Sequence, residues 1–547
     1  MTRLDYKGGQ ILTDNITGLK KKRFSLAAII FFIYCSTAGG AFGIEEMISS
    51  SGPGLTLLLL VLIPILWANP IGLYSAELTN LAPVDSGPYV WPKLAFGEFW
   101  GFAFGWWLII NLYLTGPAYV VLAVDYFGLY VSLTPTMAFI LKAGMIIVFT
   151  VVNLKGLEGV SRLSNIFCVI VLVAFASVAF VGLTHWENNP FEPFMATGSE
   201  GAITSWGTGI AIGIWMYCGY FFVSFLGGEM ENPEILPKGM KIAIIVIALS
   251  YILPTLGGIV STGPWEDWGS TIDYSTVLTR HVGIGAGIAF MAAAVIAQFA
   301  IFNASLTTAS RSFVILAKDN LCPGFLSKLT KKSRVPLWPI ILLAVLNLIL
   351  VNLDFEAIVS IMSPIIFILY MGIGIVFVKL RKDCPVEKRK GLYYVRGGKL
   401  GVIYVCGGPL LFGTLGLMTI GTQYFLLGFL VIISAVVAYI IFKWMYKGRY
   451  KNDPEKYPIN VKTKLAKGDV VRIGVFFLIF GLLALIGSFL LVWYEGANAA
   501  NIYLETYKTG LLSNFAAMIN ITRWSGIGMM ILGIAMYFVG KKVDPVE

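Results

Sequence analysis

Charge is scarce in this chain. Asp, Glu, Lys and Arg supply only 13% of its 547 residues, where a soluble domain carries roughly a quarter. With 57% of residues hydrophobic, a water-exposed fold of this composition would aggregate, so the soluble globular class is excluded. Histidine is scarcer still. There are two, His185 and His281, both in segments expected outside the membrane, and no metal-ligand spacing accompanies them. Hydrolytic and metal-centred chemistry therefore has no constellation to run on, and the chain reads as no enzyme, with no cofactor and no metal site. The six cysteines show neither C-x-x-C spacing nor a partner pattern. Cys168 and Cys406 fall in apolar runs, and Cys322 and Cys384 in loops expected to be cytosolic, where disulfides are rare. Cys35 and Cys218 sit at helix interruptions and read as small polarisable packing residues. A cleavable signal peptide is missing too, because the apolar run behind Lys20-Lys-Lys-Arg23 is too long for a signal h-region.

Long apolar runs are what the chain has instead. Segments of about 20 residues, enough to cross a hydrocarbon core, are expected at 24–49, 55–80, 97–131, 136–152, 163–184, 205–228, 239–262, 284–316, 337–353, 355–379, 402–421, 424–446, 472–493 and 518–540. The basic cluster at 20–23 holds the N-terminus in the cytoplasm. Alternation from there puts Lys155 and Arg162, Lys238 and Lys241, Lys328 to Arg334, Lys379 to Lys399, Lys443 to Lys467 and Lys541-Lys542 on the same side. The opposite loops carry Glu187, Glu192, Glu266, Asp267 and Asp273 with few cations. An even count of spans and the charge bias thus agree, and both termini are expected in the cytoplasm of a multi-pass plasma-membrane protein. The net charge of +10 follows from that asymmetry, so no nucleic-acid partner is needed.

The first span is interrupted by Cys35-Ser-Thr-Ala-Gly-Gly-Ala-Phe-Gly43, followed by Glu45 and Glu46. Backbone that leaves the helix at bilayer depth must be covered by protein or line a cavity, since lipid offers no hydrogen-bond partner. A second interruption, Trp215-Met-Tyr-Cys-Gly-Tyr220 with Gly227-Gly228-Glu229, comes five spans later. Interrupted spans in corresponding positions of two halves point to a transporter site at the midplane. Any single glycine, Gly207, Gly209 or Gly213 included, is as readily explained by close helix packing.

Four stretches carry a family resemblance: Gly39-Gly-Ala-Phe-Gly-Ile44; Ala76-Glu-Leu78 with Pro83, Gly87, Tyr89 and Trp91; Gly228-Glu-Met-Glu-Asn-Pro233 with Pro237; and Asn303 to Arg311 with Ala317-Lys-Asp-Asn-Leu321 and Pro323. In this order and spacing, over about 24–446, the chain resembles the amino acid–polyamine–organocation transporters. Gly39-Gly40 followed by Phe42-Gly-Ile-Glu45 is most similar to the branch that includes polyamine symporters. The resemblance implies an all-α fold of five-plus-five inverted repeats with broken helices 1 and 6 and alternating access. The repeats are expected at 24–184 and 205–380, after a cytoplasmic segment at 1–23. Helices 11 and 12 follow at 400–446, and two further helices at 470–541 exceed the family core.

In such a fold the substrate lies between helices 1, 3, 6, 8 and 10. Amide groups opening one half-helix suit a carboxylate, and free carbonyls closing the other suit an ammonium. The expected head-group reader is backbone at Gly39, Gly40, Ala41, Phe42 and Gly43 and at Cys218 and Gly219. Thr115, Trp215 and Ser305 are expected to shape the pocket for the rest of the substrate, with Trp215 where arginine–agmatine exchangers of the family stack a cation. Phe221 stands where cation-selective relatives carry an acid. That favours neutral or bulky apolar amino acids, with polyamines or other organic amines as the alternative and a transport-inactive sensor as a further one. Glu45, Lys142 and Thr308 are candidates for coupling. The helix 5 lysine of some proton-coupled relatives is absent, and hydroxyls of Ser305, Thr307 and Thr308 leave Na+ open beside H+. The expected partners are a small-molecule substrate and the bilayer, and the oligomeric state stays open.

Overall fold

The computed structural model describes residues 6–7, 10–11, 23–84, 86–155, 160–196, 201–222, 224, 230–331, 335–389, 391–496 and 498–543. Lys20 to Lys22 and Gly227 to Glu229 lie outside the described residues, as do the side chains of 6–11, 160–168 and 201–204, Arg162 and Cys168 among them.

The helices run α1 (Leu26–Thr37), α2 (Ile44–Ser51), α3 (Pro53–Ile63), α4 (Asn69–Leu81), α5 (Gly87–Phe96), α6 (Glu98–Gly128), α7 (Pro135–Lys155), α8 (Val160–Thr184), α9 (Gly201–Met216) and α10 (Leu236–Ser261). They continue as α11 (Tyr274–His281), α12 (Ile284–Lys318), α13 (Leu337–Leu350), α14 (Phe355–Asp383), α15 (Gly398–Thr419), α16 (Thr422–Tyr446), α17 (Asp469–Glu495), α18 (Ala499–Tyr507) and α19 (Phe515–Val543). Every expected span coincides with a helix. Among the described residues, ten helices are long and apolar enough to cross a membrane, which makes this an all-α multi-pass membrane protein. The other four spans are the two interrupted ones and the shorter apolar helices at Val169–Thr184 and Leu337–Leu350. Span 2 runs through α3 and α4 across a π-turn at Pro64–Ala68. Pro64 and Pro70 remove two amide donors there, and the π-turn re-aims the chain without ending the helix.

The packing repeats under a shift of five spans. Span 1 meets span 6 (α2 on α9), span 2 meets span 7 (α3 and α4 on α10), span 3 meets span 8 (α6 on α12) and span 4 meets span 9 (α7 on α13). The contact of α8 with α10 has its counterpart in α14 with α4, and that of α12 with α8 in α14 with α6. Two copies of a five-helix unit related by an in-plane axis produce this pattern.

The last two spans zip together as an antiparallel pair. Gly474 and Gly481 on α17, and Gly526, Gly533 and Gly540 on α19, recur every seven residues, so each set lines one helix face. A Cβ at Gly481 would lie 2.8 Å from the Gly526 carbonyl oxygen, and one at Gly533 2.8 Å from that of Gly474. The backbones therefore touch, as small-residue interfaces allow in lipid. The pair docks on α6 through Phe476, which sits among Phe99, Trp100 and Trp107.

Cys35 is disulfide-bonded, which corrects its reading as a packing thiol. Spacing along the chain carries no information about a partner that only the fold brings close.

Overpacking the zipper tests this arrangement. Gly481→Leu is expected to cost about 1–3 kcal/mol and lower the melting temperature of the purified protein. Gly528→Leu, whose added side chain points into open space, is expected to leave that temperature unchanged.

Candidate substrate site

The two interruptions meet. α1 ends at Thr37, and Gly39, Gly40 and Gly43 take φ of 61°, 115° and 94°, backbone that a side chain disfavours. In the second break Gly219 has φ 111°. A Cβ there would lie 2.8 Å from the Ser36 carbonyl oxygen and 3.1 Å from Thr37 Oγ1. The carbonyl end of α1 is thus pressed against the turn after α9. Ile301 on α12 closes over Gly39 and Phe355 on α14 over Gly43, so spans 1, 6, 8 and 10 converge at one point.

Glu45 is inside this junction, 3% exposed. Its Oε2 accepts the Gly43 N–H at 2.8 Å, so a carboxylate of the chain itself sits at the amide-rich start of α2, where helix dipole and free N–H groups favour an anion. Its Oε1 has no hydrogen-bond partner among the described residues. Glu46, about 100° round the helix, is half-buried and lies in electrostatic reach of Glu356, Asp125 and Asp354. These groups come from the end of α6 and the start of α14, so one mouth of the site carries four carboxylates. The same side holds Asp273, whose carboxyl burial pushes up against hydrogen bonds from Ser275 and Thr276.

Aromatic rings form the remaining walls. Trp215 is edge-on to Phe355 with centroids 5.1 Å apart and tilts against Tyr119 at 6.0 Å. Phe221 is buried and tilted against Tyr370 at 4.6 Å. Tyr370 Oη accepts the Gly219 N–H at 2.7 Å, and Cys218 Sγ donates to the Ile214 carbonyl at 2.9 Å. Buried Ala41 lies in the break, and Phe42 is caged by Tyr126 and Phe175 at 5.3 and 4.8 Å.

Other candidates stand further off. Ser305 and Thr308 lie one and two turns beyond Ile301 on the same face of α12, with the Thr308 hydroxyl bonded to the Ala304 carbonyl. Thr307 instead faces α7, where its hydroxyl donates to Asn153 Oδ1 at 2.8 Å. The Thr115 hydroxyl turns back onto the Asn111 carbonyl at 2.8 Å. Lys142 is the remaining candidate for coupling. Its Nζ reaches the Val351 carbonyl at 3.4 Å, near Asp125 and remote from the break, because α7 packs on α13 and on the outer side of α6.

Glu77, Tyr89, Asn232 and Asp319, from three of the motifs that carry the resemblance, gather on the face where Phe24 and Val543 lie, here the terminal face. Asn232 pairs with the Phe24 backbone in both directions, at 3.0 and 2.9 Å. Lys93 Nζ lies 2.6 Å from Asp319 Oδ2, which also accepts the Tyr89 hydroxyl. Glu77 accepts from Arg389 at 2.6 Å, Arg381 at 3.2 Å and the Val395 N–H at 2.6 Å. Glu98 is paired with Lys443. Ion pairs thus tie the helices together on this face, while Glu46, Asp125, Asp354 and Glu356 gather on the other.

Tyr370, Phe355, Ile301 and Tyr119 escaped the reading of the sequence. The one signal was for Tyr370, a phenol in mid-span that must find a polar partner in lipid.

Paired helix breaks and packing that repeats after five spans define a transporter architecture. The family model described as "Amino acid permease" matches residues 24–445, and the chain belongs to that family of the amino acid–polyamine–organocation superfamily. A probable polyamine transporter of Arabidopsis thaliana is 29% identical over 397 residues, covering 71% of this chain and 78% of its own length. Polyamine transporter RMV1 of the same plant is 26% identical over 402 residues, covering 71% and 79%. Polyamine transporter PUT1 of Oryza sativa subsp. japonica is 27% identical over 349 residues, covering 61% and 63%. The chain is a membrane transporter.

Two substitutions probe this geometry. Gly219→Ala forces a Cβ against Ser36 at a strained φ, a cost of about 1–3 kcal/mol, and is expected to lower uptake about tenfold or more in protein that still folds. Around Asp319, burial pushes the carboxyl up, but Lys93 and the Tyr89 hydroxyl outweigh it and hold it below its ordinary value. Its stabilisation is then present above the ordinary carboxylate range and lost as pH falls through the depressed value. A shallower acid limb of the melting profile in Asp319→Asn is the expected outcome.

Proposed function

We propose that this chain is a secondary transporter of organic amines with two or more ammonium groups, such as linear diamines and triamines. One observation carries the reading: Glu45 Oε2 already caps the half-helix that would receive a substrate carboxylate, while Oε1 is buried with no hydrogen-bond partner among the described residues. An α-amino acid would bring a second carboxylate to the same spot, and like charges in a dry site are expensive. An amine instead completes a charge-assisted hydrogen bond. Glu45 supplies the acid that Phe221 does not. The aromatic walls of Trp215, Phe355 and Tyr119 suit both the methylene chain and the cation, and the far-side carboxylates raise the local concentration of cations. The names of the relatives agree with this choice. Neutral or bulky apolar amino acids are the second reading, favoured by Phe221 and by the description of the family.

The rest of the reading follows from the fold. Residues 24–184 and 205–380 are the two repeats, 400–446 the eleventh and twelfth helices, and 470–541 the zipped pair. The positive bias of its loops supports a cytoplasmic terminal face, in the plasma membrane, and substrate crosses by alternating access. Substrate crosses chemically unchanged, driven by H+, by Na+ or by exchange.

A thermal-shift screen of purified protein against 1,4-diaminobutane, spermidine and neutral amino acids, with and without Na+ and at two pH values, tests this. Amines are expected to stabilise the protein by mass action, and Glu45→Gln to weaken amine binding about tenfold or more, the cost of one charge-assisted partner. Stabilisation by leucine or phenylalanine alone would support the second reading, and stabilisation without flux in liposomes would support the sensor.

A further inference from the structure

A crevice of about 380 Å³ opens between α14 and α15 toward the terminal face, and it shares no lining residue with the substrate junction. Met371, Gly374 and Val378 of α14, Cys406 and Leu410 of α15 and Phe96 at the end of α5 line it, with Lys379 and Lys382 at one end. Its size falls in the ordinary range of ligand sites, roughly 300–1,000 Å³. Its surroundings are those of the bilayer, because Val378 and Leu410 are exposed on the outer surface of the bundle. An occupant must therefore arrive through hydrocarbon.

We propose that this crevice binds an anionic phospholipid, with an acyl chain against Gly374 and the phosphate between Lys379 and Lys382. The chemistry has two parts. The walls are apolar along their depth, which suits a methylene chain and excludes a free polar solute. The two lysines stand one turn apart on α14, where side chains share a face, in the last turn of a span, at the depth of phospholipid phosphates. Lys379 already neutralises Asp383, and the Lys382 side chain is exposed, so the mouth stays cationic. Basic pockets between helix ends recognise anionic head groups in this way. Glycine at 374 keeps the crevice open, since a Cβ there would have Cys406 Sγ as its nearest neighbour at 4.0 Å. α14 also carries Arg381, which holds Glu77 on the inner side, so an occupant braces the helix that closes the terminal face.

The test uses full-length protein in detergent, titrated with phosphatidylglycerol, with phosphatidylcholine of identical chains and with inorganic phosphate, and read by native mass spectrometry and melting temperature. Wild type is expected to retain one phosphatidylglycerol and to melt higher with it, while phosphatidylcholine and phosphate leave it unchanged. Gly374→Leu puts a side chain into the crevice, its Cβ meeting only Cys406 Sγ at 4.0 Å, and should remove the retained lipid. The double variant Lys379→Gln, Lys382→Gln should weaken retention about tenfold and erase the preference for the anionic lipid. The proposal is overturned by equal retention in Gly374→Leu, by equal binding of the two lipids to wild type, or by phosphate alone reproducing the shift.

Discussion

Backbone amide and carbonyl groups have no partner in hydrocarbon, and this fold is arranged around the two places where its helices give them up. Each break is tolerated because the other covers it: the Ser36 carbonyl is pressed onto Gly219, and the Gly219 amide is taken by the Tyr370 hydroxyl. Spans 8 and 10 then seal the junction through Ile301 and Phe355. The glycines are required by conformation as well as by space, since every one of the four takes a positive φ. Non-helical polar backbone at bilayer depth is thereby concentrated at one point, which is what a polar solute needs in order to be held in the middle of a membrane.

The chain also supplies charge of its own to that point. Glu45 occupies the positive end of α2, and the proposed preference for a cation over a zwitterion rests on that placement. The opposite surface is closed by a different set of charges, Glu77 with Arg381 and Arg389, Lys93 with Asp319, and Glu98 with Lys443. Such pairs are costly to break singly, because the partner left behind is buried.

Much of the fold was legible in the sequence, because span length and glycine interruption are local signals. The positions of the helices and the pairing of residues 39–43 with 215–219 follow from them, and the four motifs place the chain in its family. What escaped depends on distance in the fold. Nothing local says that Glu45 turns back to its own helix start, that Tyr370 caps Gly219, or that Cys35 is bonded. Tyr89 and Asp319 read as family markers, and only packing joins them to Lys93, which the sequence did not single out. The seven-residue glycine spacing of α17 and α19 was visible in the sequence, but its meaning needed the antiparallel contact.

The most direct measurement compares an amino acid with its own decarboxylated amine. Lysine and 1,5-diaminopentane share a chain and differ in the carboxylate alone, so their dissociation constants on the purified protein report whether the start of α2 accepts a second anion. If Glu45 fills that place, the diamine binds more tightly, and Glu45→Gln narrows or inverts the difference. Tighter binding of lysine to the wild-type protein would contradict the role given to Glu45.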